Sequence, residues 1–233
     1  MKLLLFSDIH GNNHAFDAFI KSLSTQKKQY NLLFLGDFIG YYYGANEIIS
    51  YCRENNISCI LGNHDKYFLD ILDGKRSLER YVKKYGHSYE IALNTVSKEN
   101  ISFLRRLDKN RILTSANKKV YICHGSPLDN LEGRIYPDTD LSVFETVVKG
   151  FNYVVTGHTH HKMIGSYGPT VFLNPGSLGQ QRDGKGCSYM ILDLEKDAYS
   201  FHTVDYAITI LENEIGLYDA GRAEFKEVLR RRR

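Results

Sequence analysis

The chain of 233 residues has no tryptophan, four prolines and four cysteines. The cysteines, at positions 52, 59, 123 and 187, lie far apart or in apolar runs and form no C-x-x-C pair. A zinc ribbon and a dithiol redox site are therefore not expected, and we interpret the cysteines as reduced core residues. Linker-like composition, low-complexity segments and internal repeats are also missing, so we expect one domain spanning residues 1–233.

The chain also lacks a strong excess of charge of either sign. It has 30 Lys and Arg against 27 Asp and Glu, and the terminal arginine run 230–233 accounts for most of the net charge of +3. A broad basic face is therefore not expected, and neither is a stable nucleic-acid partner. We interpret the arginine run as a solvated tail, with a nucleic-acid or partner contact as the alternative.

Long hydrophobic runs are missing as well. No stretch approaches the roughly 18 uninterrupted apolar residues of a membrane-spanning helix. The apolar run at the start of "MKLLLFSDIHG" stops at Ser7 and Asp8, and it lacks the longer apolar region and small-residue cleavage site of a signal peptide. The sequence therefore predicts a cytoplasmic protein without a membrane partner.

Short apolar runs are present, and their length and composition are typical of strands. They cover residues 2–6, 31–35, 58–61, 119–123, 153–156, 170–173, 187–193 and 199–204. Segments with helical spacing lie between the early runs, for example after Asn12 and after Ser97. Because the later strands follow one another more directly, we expect an α/β fold whose later sheet is partly antiparallel.

Two further segments are predicted to be helical. Residues 66 to about 110 carry no strand signal and are expected to form helices joined by short polar turns. Residues 207–229 place Phe225, Val228 and Leu229 on one face, which predicts a single closing helix at the C-terminus.

Metal-ligand residue types follow five of the predicted strands. They are Asp8 and His10, then Asp37, then Asn63 and His64, then His124, and finally His158 and His160 in "GHTHH". The carboxyl ends of strands in an open α/β sheet face one crevice, so we expect these side chains to converge. Carboxylate, imidazole and amide donors without a thiolate fit a pair of divalent ions such as Mn, Fe, Ni, Co or Zn.

The motifs "DIH", "GD", "GNHD", "HG" and "GHTH", in this order, resemble those of the calcineurin-like metallophosphoesterase superfamily. The segments "GDFIGYYYGANEII", "NPGSLGQQRDG" and "VDYAI" resemble a compact bacterial and archaeal phosphodiesterase group within it, along nearly the whole chain. This resemblance implies a four-layer αββα sandwich of two mixed sheets flanked by helices. It also implies that residues 66 to about 110 face the substrate.

The resemblance further implies a two-metal ligand set, with manganese as the expected ion. One ion would be held by Asp8, His10 and His160, the other by Asn63, His124 and His158, with Asp37 bridging the two. A metal-bridging hydroxide would attack phosphorus in line. His64 would hydrogen-bond a phosphate oxygen and protonate the leaving alkoxide, and Asp65 would orient the His64 ring.

A small phosphodiester or nucleotide-type compound is the expected substrate. The segment "GDFIGYY" lacks the arginine of the "GDxVDRG" motif that protein phosphatases and diadenosine tetraphosphatases carry. Hydrolysis of dinucleoside polyphosphates or of phosphomonoesters remains an alternative. A metal-poor binding scaffold of the same fold, similar to the retromer scaffold subunit, is the alternative from another class.

Other residues near these motifs allow two readings each. Arg182 could hold a non-bridging phosphate oxygen, or its loop could be a plain turn. Tyr42, in the run Tyr41–Tyr43, could stack on a base or aryl group, or pack in the core. We interpret His161 as a surface residue or a neighbour of the ligands, and His14 as a solvated residue in the first turn of a helix, with substrate contact as the alternative.

Overall fold

Ten strands in the described residues form two mixed sheets of five strands each. The computed structural model describes residues 1–23, 29–184 and 186–231. The strands, in chain order, are β1 Lys2–Phe6, β2 Asn31–Phe34, β3 Ser58–Cys59, β4 Asn110–Ser115, β5 Lys118–Cys123, β6 Tyr153–Val155, β7 Lys162–Tyr167, β8 Thr170–Pro175, β9 Cys187–Asp193 and β10 Ala198–Val204. The first sheet has the order β10-β9-β1-β2-β3, and the second has the order β4-β5-β6-β8-β7.

The helices of the described residues flank these sheets. They are α1 Asn13–Ser22, α2 Ala45–Glu54, α3 Asn63–Leu72, α4 Leu78–Tyr85, α5 Ser88–Thr95, α6 Lys98–Arg105, α7 Glu145–Val148, α8 Ile208–Tyr218 and α9 Ala223–Arg230. A 3-10 turn, Leu141–Phe144, precedes α7. No helix in these ranges has both the length and the apolar composition needed to cross a membrane.

The central strand β1 is apolar throughout because both of its faces are covered. Leu3 and Leu5 point into the core between the two sheets, whereas Leu4 and Phe6 belong to the core beneath the helices. The Phe6 ring lies 5.0 Å from that of Phe19 on α1. On the far side, Phe144 and Val148 pack against the second sheet. The expected arrangement of two mixed sheets flanked by helices is therefore confirmed.

Two strands of the second sheet were not among the predicted strands. They are β4 and β7, which lie at the two edges of that sheet. Exposed and half-buried residues alternate along β4, and Ile112 is exposed. An edge strand with one solvated face needs no continuous apolar run, so neither segment carries the signal that marks the buried strands.

The helical stretch predicted from residue 66 is four helices, α3 to α6, and its last residues pass into β4. The C-terminal segment differs from the prediction, because it forms two helices, α8 and α9, where one was expected. Asp219, which lies between them, is 5% exposed. Its carboxylate accepts hydrogen bonds from the His87 backbone N–H and from the Tyr43 hydroxyl. These bonds fix the break between α8 and α9 against the turn before α5.

Candidate metal centre

The ligand-type residues predicted from the motifs lie together at the carboxyl ends of strands from both sheets. Four follow strands of the first sheet and three follow strands of the second sheet. Those after the first sheet are Asp8, His10, Asp37 and Asn63, and those after the second are His124, His158 and His160. Each of these side chains is at most 8% exposed. The side chains therefore form one buried cluster at the seam between the sheets.

The backbone is strained where it presents these residues. Asp8, His10, Asp37, His158 and His160 all have positive φ, between 51° and 68°. Residues other than glycine adopt this left-handed region rarely, at a cost of about 1 kcal/mol or more each. Such strain is common at functional sites, where the surrounding structure holds it in place.

Hydrogen bonds between the loops hold this backbone. The N–H groups of Ile9 and His10 both donate to the Asp37 carbonyl, at 3.1 and 3.0 Å. The Asp8 Oδ2 atom accepts from the His158 N–H at 3.0 Å, and the Asp37 Oδ1 atom accepts from the His64 N–H at 2.8 Å. One oxygen of each carboxylate thus binds backbone, and the other is directed into the cluster.

Three imidazoles are oriented by backbone carbonyls. Nδ1 of His10 donates to the Ile39 carbonyl at 2.9 Å, and Nδ1 of His124 donates to the Leu35 carbonyl at 2.7 Å. Nδ1 of His160 donates to the Gln180 carbonyl at 2.5 Å. A carbonyl can only accept, so in each neutral ring the proton resides on Nδ1 and Nε2 offers a lone pair. Metal-binding histidines are oriented in the same way.

The acceptor atoms inside the cluster face one another at short range. Nε2 of His10 lies 3.0 Å from Nε2 of His160, which in turn lies 3.3 Å from Asp8 Oδ1. Nε2 of His124 lies 2.9 Å from Asn63 Oδ1 and 3.3 Å from Asp37 Oδ2. Lone pairs this close repel unless a cation or a proton lies between them.

Within the described residues, three buried atoms of the cluster have no hydrogen-bond partner. They are Asp8 Oδ1, Asp37 Oδ2 and His158 Nε2. Buried polar atoms are normally paired, and an orphaned group costs about 1–3 kcal/mol. Donor atoms of Asp8, His10 and His160 lie within 4.8 Å of one another, as do those of Asp37, His124 and His158. The residues therefore fit divalent cations.

Charge interactions in the cluster favour ionised carboxylates. Burial raises the pKa of Asp8, but the His160 and His124 imidazoles outweigh it and hold that pKa below its usual value. Burial also opposes ionisation of Asp37, and His124 and His64 again lower its pKa well below the usual range. Burial and the neighbouring His160 lower the pKa of His10 to about 4. Burial lowers the pKa of His124 too, but the Asp37 and Asp8 carboxylates outweigh it and raise that pKa to about 10.

Asp65 does not orient His64, contrary to the sequence expectation. Its carboxylate accepts four backbone N–H groups, those of Asp37, Phe38, Ile39 and Gly62, at 2.9 to 3.2 Å. Such a set of donors satisfies both oxygens of Asp65 and leaves none for the imidazole. Asp65 instead fixes the turn that presents Asp37. The partner of His64 is the hydroxyl of Tyr89, 2.9 Å from Nδ1.

Tyr42 is buried rather than exposed to the crevice. It is 1% exposed, packs with Leu211, Ile215, Phe225 and Leu229, and donates its hydroxyl to the Phe225 carbonyl. The expected stacking of Tyr42 on a substrate is therefore wrong, and the core alternative holds because α8 and α9 cover the ring.

The tyrosine that borders the crevice is Tyr41. Its ring stacks on His64 at 5.5 Å and meets His10 edge-on at 4.9 Å. Arg182 lies beside it: the Arg182 Nη2 donates to the Tyr41 hydroxyl and to Gln180 Oε1, both at 2.9 Å. The positive charge of Arg182 contributes, after burial, to lowering the pKa of His160. Arg182 is thus at the rim of the cluster.

Two other histidines have hydrogen-bond partners outside the cluster. Nε2 of His14 lies 2.8 Å from Glu214 Oε1 on α8, so His14 is paired across the fold rather than simply solvated. His161 is half-buried, and its Nδ1 donates to the Thr159 carbonyl at 2.7 Å. Neither residue belongs to the groups whose donor atoms converge.

The motif-based reasoning missed Tyr89. Tyrosine is not a metal-ligand type, and Tyr89 lies on α5, some way along the chain from His64. Tyr81, Tyr85 and Tyr89 recur every four residues, a spacing typical of one helical face, but Gly86 ends α4 and places Tyr89 on a separate helix. That spacing does not tell which residue the face contacts.

Residues 1–197 match the family model described as the calcineurin-like phosphoesterase superfamily domain. An uncharacterised protein of Methanocaldococcus jannaschii is 32% identical, over 84% of this chain and 83% of that protein. A hypothetical protein of Pyrococcus horikoshii has a similar fold, with a TM-score of 0.80 and 20% identity over 98% of this chain and 97% of that one. A metallophosphoesterase from Sphaerobacter thermophilus has a TM-score of 0.75 and 23% identity over 98% of each chain.

Proposed function

Because the chain belongs to the calcineurin-like phosphoesterase superfamily, we propose that it hydrolyses phosphodiester bonds with two divalent cations. The observation that carries this proposal is the convergence of buried acceptor atoms that have no donors. Asp8 Oδ1, Asp37 Oδ2 and His158 Nε2 lack partners among the described residues. His10 and His160 also direct bare nitrogens at each other, at 3.0 Å. Cations would satisfy all of these atoms at once.

In the proposed ligand set, each sheet contributes to each ion. Asp8, His10 and His160 would hold one cation, Asn63, His124 and His158 would hold the other, and the Asp37 carboxylate would serve both. The short distances among their donor atoms support this division. Two such cations lower the pKa of a shared water and neutralise charge on the phosphate oxygens. Oxygen and imidazole donors without sulfur suit manganese, the ion we expect, and also Fe, Ni, Co or Zn.

His64 and Arg182 are the proposed contacts of the chain with the phosphate. The His64 ring lies beside His10, with ring centroids 4.7 Å apart, and its Nδ1 is already bound to Tyr89. Its other nitrogen, Nε2, is therefore the atom that meets a phosphate oxygen or assists the leaving group. Arg182 is held at the rim by Tyr41, where a guanidinium suits a non-bridging phosphate oxygen.

A diester is the preferred substrate class because few fixed cations border the cluster. In the "GDxVDRG" motif of other branches of the superfamily, the arginine stands at the position that Tyr41 occupies in this chain. A phosphodiester carries one negative charge on its phosphoryl group, so Arg182 and the two ions suffice to neutralise it. A phosphomonoester carries an additional negative charge and would gain more from the missing arginine.

The test is a substrate screen on protein reconstituted with Mn²⁺. Aryl and alkyl monoesters, cyclic dinucleotides, 2′,3′-cyclic nucleotides and dinucleoside polyphosphates are compared, and bound metal is measured in parallel. We expect the wild type to turn over diesters and to bind two ions per chain. His158→Gln should lose diester turnover and bound metal. His202→Gln is the matched control, because His202 lies on β10, where its ring contacts Ser200 and Tyr189 and not the cluster residues.

The proposal fails if chains with two bound ions hydrolyse monoesters faster than every diester. It also fails if the wild-type protein binds no metal and turns over none of these compounds. The second result would favour a binding scaffold of the same fold.

A further inference from the structure

The orientation of the His64 ring is set by a side chain, whereas backbone carbonyls orient His10, His124 and His160. Its Nδ1 lies 2.9 Å from the hydroxyl of Tyr89, and Tyr89 is fully buried. We infer that Tyr89 is a positioning residue that holds the neutral His64 ring with its proton on Nε2, so that His64 serves as a fixed hydrogen-bond donor to a phosphate oxygen. The inference rests on the proposed function and narrows the role of His64 within it.

The direction of the hydrogen bond follows from what the buried hydroxyl can reach. Tyr89 has one proton to donate, and the acceptors near it are His64 Nδ1 at 2.9 Å and the His64 carbonyl at 3.5 Å. The second distance is too long for a good O–H···O bond. The hydroxyl therefore donates to Nδ1, and a neutral ring that accepts at Nδ1 carries its proton on Nε2. Burial and the nearby Asp37 keep the pKa of Tyr89 well above its usual range, so the hydroxyl retains its proton.

Packing prevents the ring from turning to another partner. Tyr41 stacks on His64 with centroids 5.5 Å apart, and Tyr85 meets the ring edge-on at 4.6 Å. Gly40 passes close to Nδ1, where an added Cβ would lie only 2.4 Å away. A ring flip would bring a carbon to the Tyr89 hydroxyl and leave that hydroxyl without an acceptor, at a cost typical of a buried unsatisfied group.

This arrangement separates two roles that His64 could have. A neutral ring with its proton on Nε2 can stabilise charge on a non-bridging oxygen without losing the proton. Giving that proton to a leaving group would form an imidazolate, unless Tyr89 released its own proton at the same moment from a fully buried position. Donation of a hydrogen bond, with no net proton transfer, is the role that the geometry favours.

The first test reads the tautomer directly and needs no catalysis. Protein labelled with ¹⁵N at histidine and loaded with diamagnetic Zn²⁺ is studied by long-range ¹H–¹⁵N NMR, with His64→Gln used to assign the His64 signals. We expect His64 to be protonated on Nε2, and Tyr89→Phe to lose this single tautomer. Tyr81→Phe is the matched control, because Tyr81 packs 5.2 Å from Tyr89 and its hydroxyl binds Arg76. A wild-type His64 protonated on Nδ1, or an unchanged tautomer in Tyr89→Phe, would overturn the inference.

The second test uses phosphodiesters whose leaving groups range from nitrophenol to simple alcohols. We expect Tyr89→Phe to lower kcat about tenfold, the equivalent of one lost hydrogen bond, with KM changed less than about twofold. The fold-decrease in kcat of Tyr89→Phe should be the same for every leaving group. His64→Gln should keep part of the wild-type rate because its amide N–H can still donate a hydrogen bond. A loss that grows with the leaving-group pKa would show that His64 is a proton donor and overturn the inference.

Measurement of bound metal tests the remaining alternative, in which His64 is itself a metal ligand. One donor atom each of His10, Asp37 and His64 lies within 4.8 Å of the others, so this reading has a geometric basis. A proton on Nε2 forbids it, and we expect His64→Gln and Tyr89→Phe to bind as much metal as the wild type. Loss of an ion in His64→Gln would overturn the inference. Failure of the wild type on every phosphoester would instead refute the proposed function, while the NMR result would stand.

Discussion

Removal of divalent metal is expected to destabilise the fold measurably, because the cluster contains buried atoms without hydrogen-bond partners that a cation would satisfy. Asp8 Oδ1, Asp37 Oδ2 and His158 Nε2 have no partners in the described part of the chain. Each such atom costs the folded chain about 1–3 kcal/mol. Metal should therefore bind the folded chain much more strongly than the unfolded chain. At a free metal concentration of about 100 times Kd, binding adds about 2.7 kcal/mol to the free energy of unfolding.

For a chain of this size, that free energy corresponds to a rise in Tm of about 5–11 °C. The measurement is thermal unfolding followed by circular dichroism, on protein stripped with chelator and then titrated with Mn²⁺. Asp37→Asn should abolish most of the rise because it removes the shared carboxylate, and His202→Gln should preserve it. A wild-type Tm that does not move while two bound ions are measured would refute this reasoning. An equal rise in Asp37→Asn would place the stabilising ion elsewhere.

Three further predictions concern single residues at the site. The pKa of His124 is raised to about 10, so this ring is protonated near pH 7 in the metal-free protein. Metal binding should release the proton. Calorimetry in buffers of different ionisation enthalpy would detect the release. Gly40→Ala should lower kcat at least about tenfold because its Cβ would collide with the His64 ring. Gly74→Ala also changes a glycine of positive φ, at 69° rather than 105°, but meets open space and should affect only the free energy of unfolding. Arg182→Ala should raise KM for diesters without changing metal content; a parallel loss of both would contradict its proposed contact with phosphate.

The sequence predicted which side chains converge, because each of them follows a strand. Strand β1 is recognisable from its apolar residues, and the polar residues that end it, Asp8 and His10, must lie at the carboxyl edge of the sheet. The same reasoning holds for His124 after β5. These positions depend on local chain geometry and on sheet topology, both of which leave a signal in the sequence.

The side chains that contact the cluster could not be predicted in this way. Tyr89 reaches His64 only because α5 packs on α3, and no local pattern encodes that contact. The choice between Tyr41 and Tyr42 depends on a turn in which Tyr41 has a φ of 62°, so the usual alternation of side chains along an extended segment does not apply. Asp65 lies next to His64 in sequence, yet the start of α3 turns its carboxylate toward backbone N–H groups instead.

The residues of the cluster are divided between the two sheets, so the proposed binding of metal would require complete assembly of the sandwich. Asp8 and His10 come from one layer and His160 from the other, while Asn63 comes from the first layer and His124 and His158 from the second. Neither layer folded by itself would contain a full coordination shell. A folding intermediate with only one layer formed should therefore be unable to retain the ions. The capacity to do chemistry should appear in a single step, when the layers close on each other.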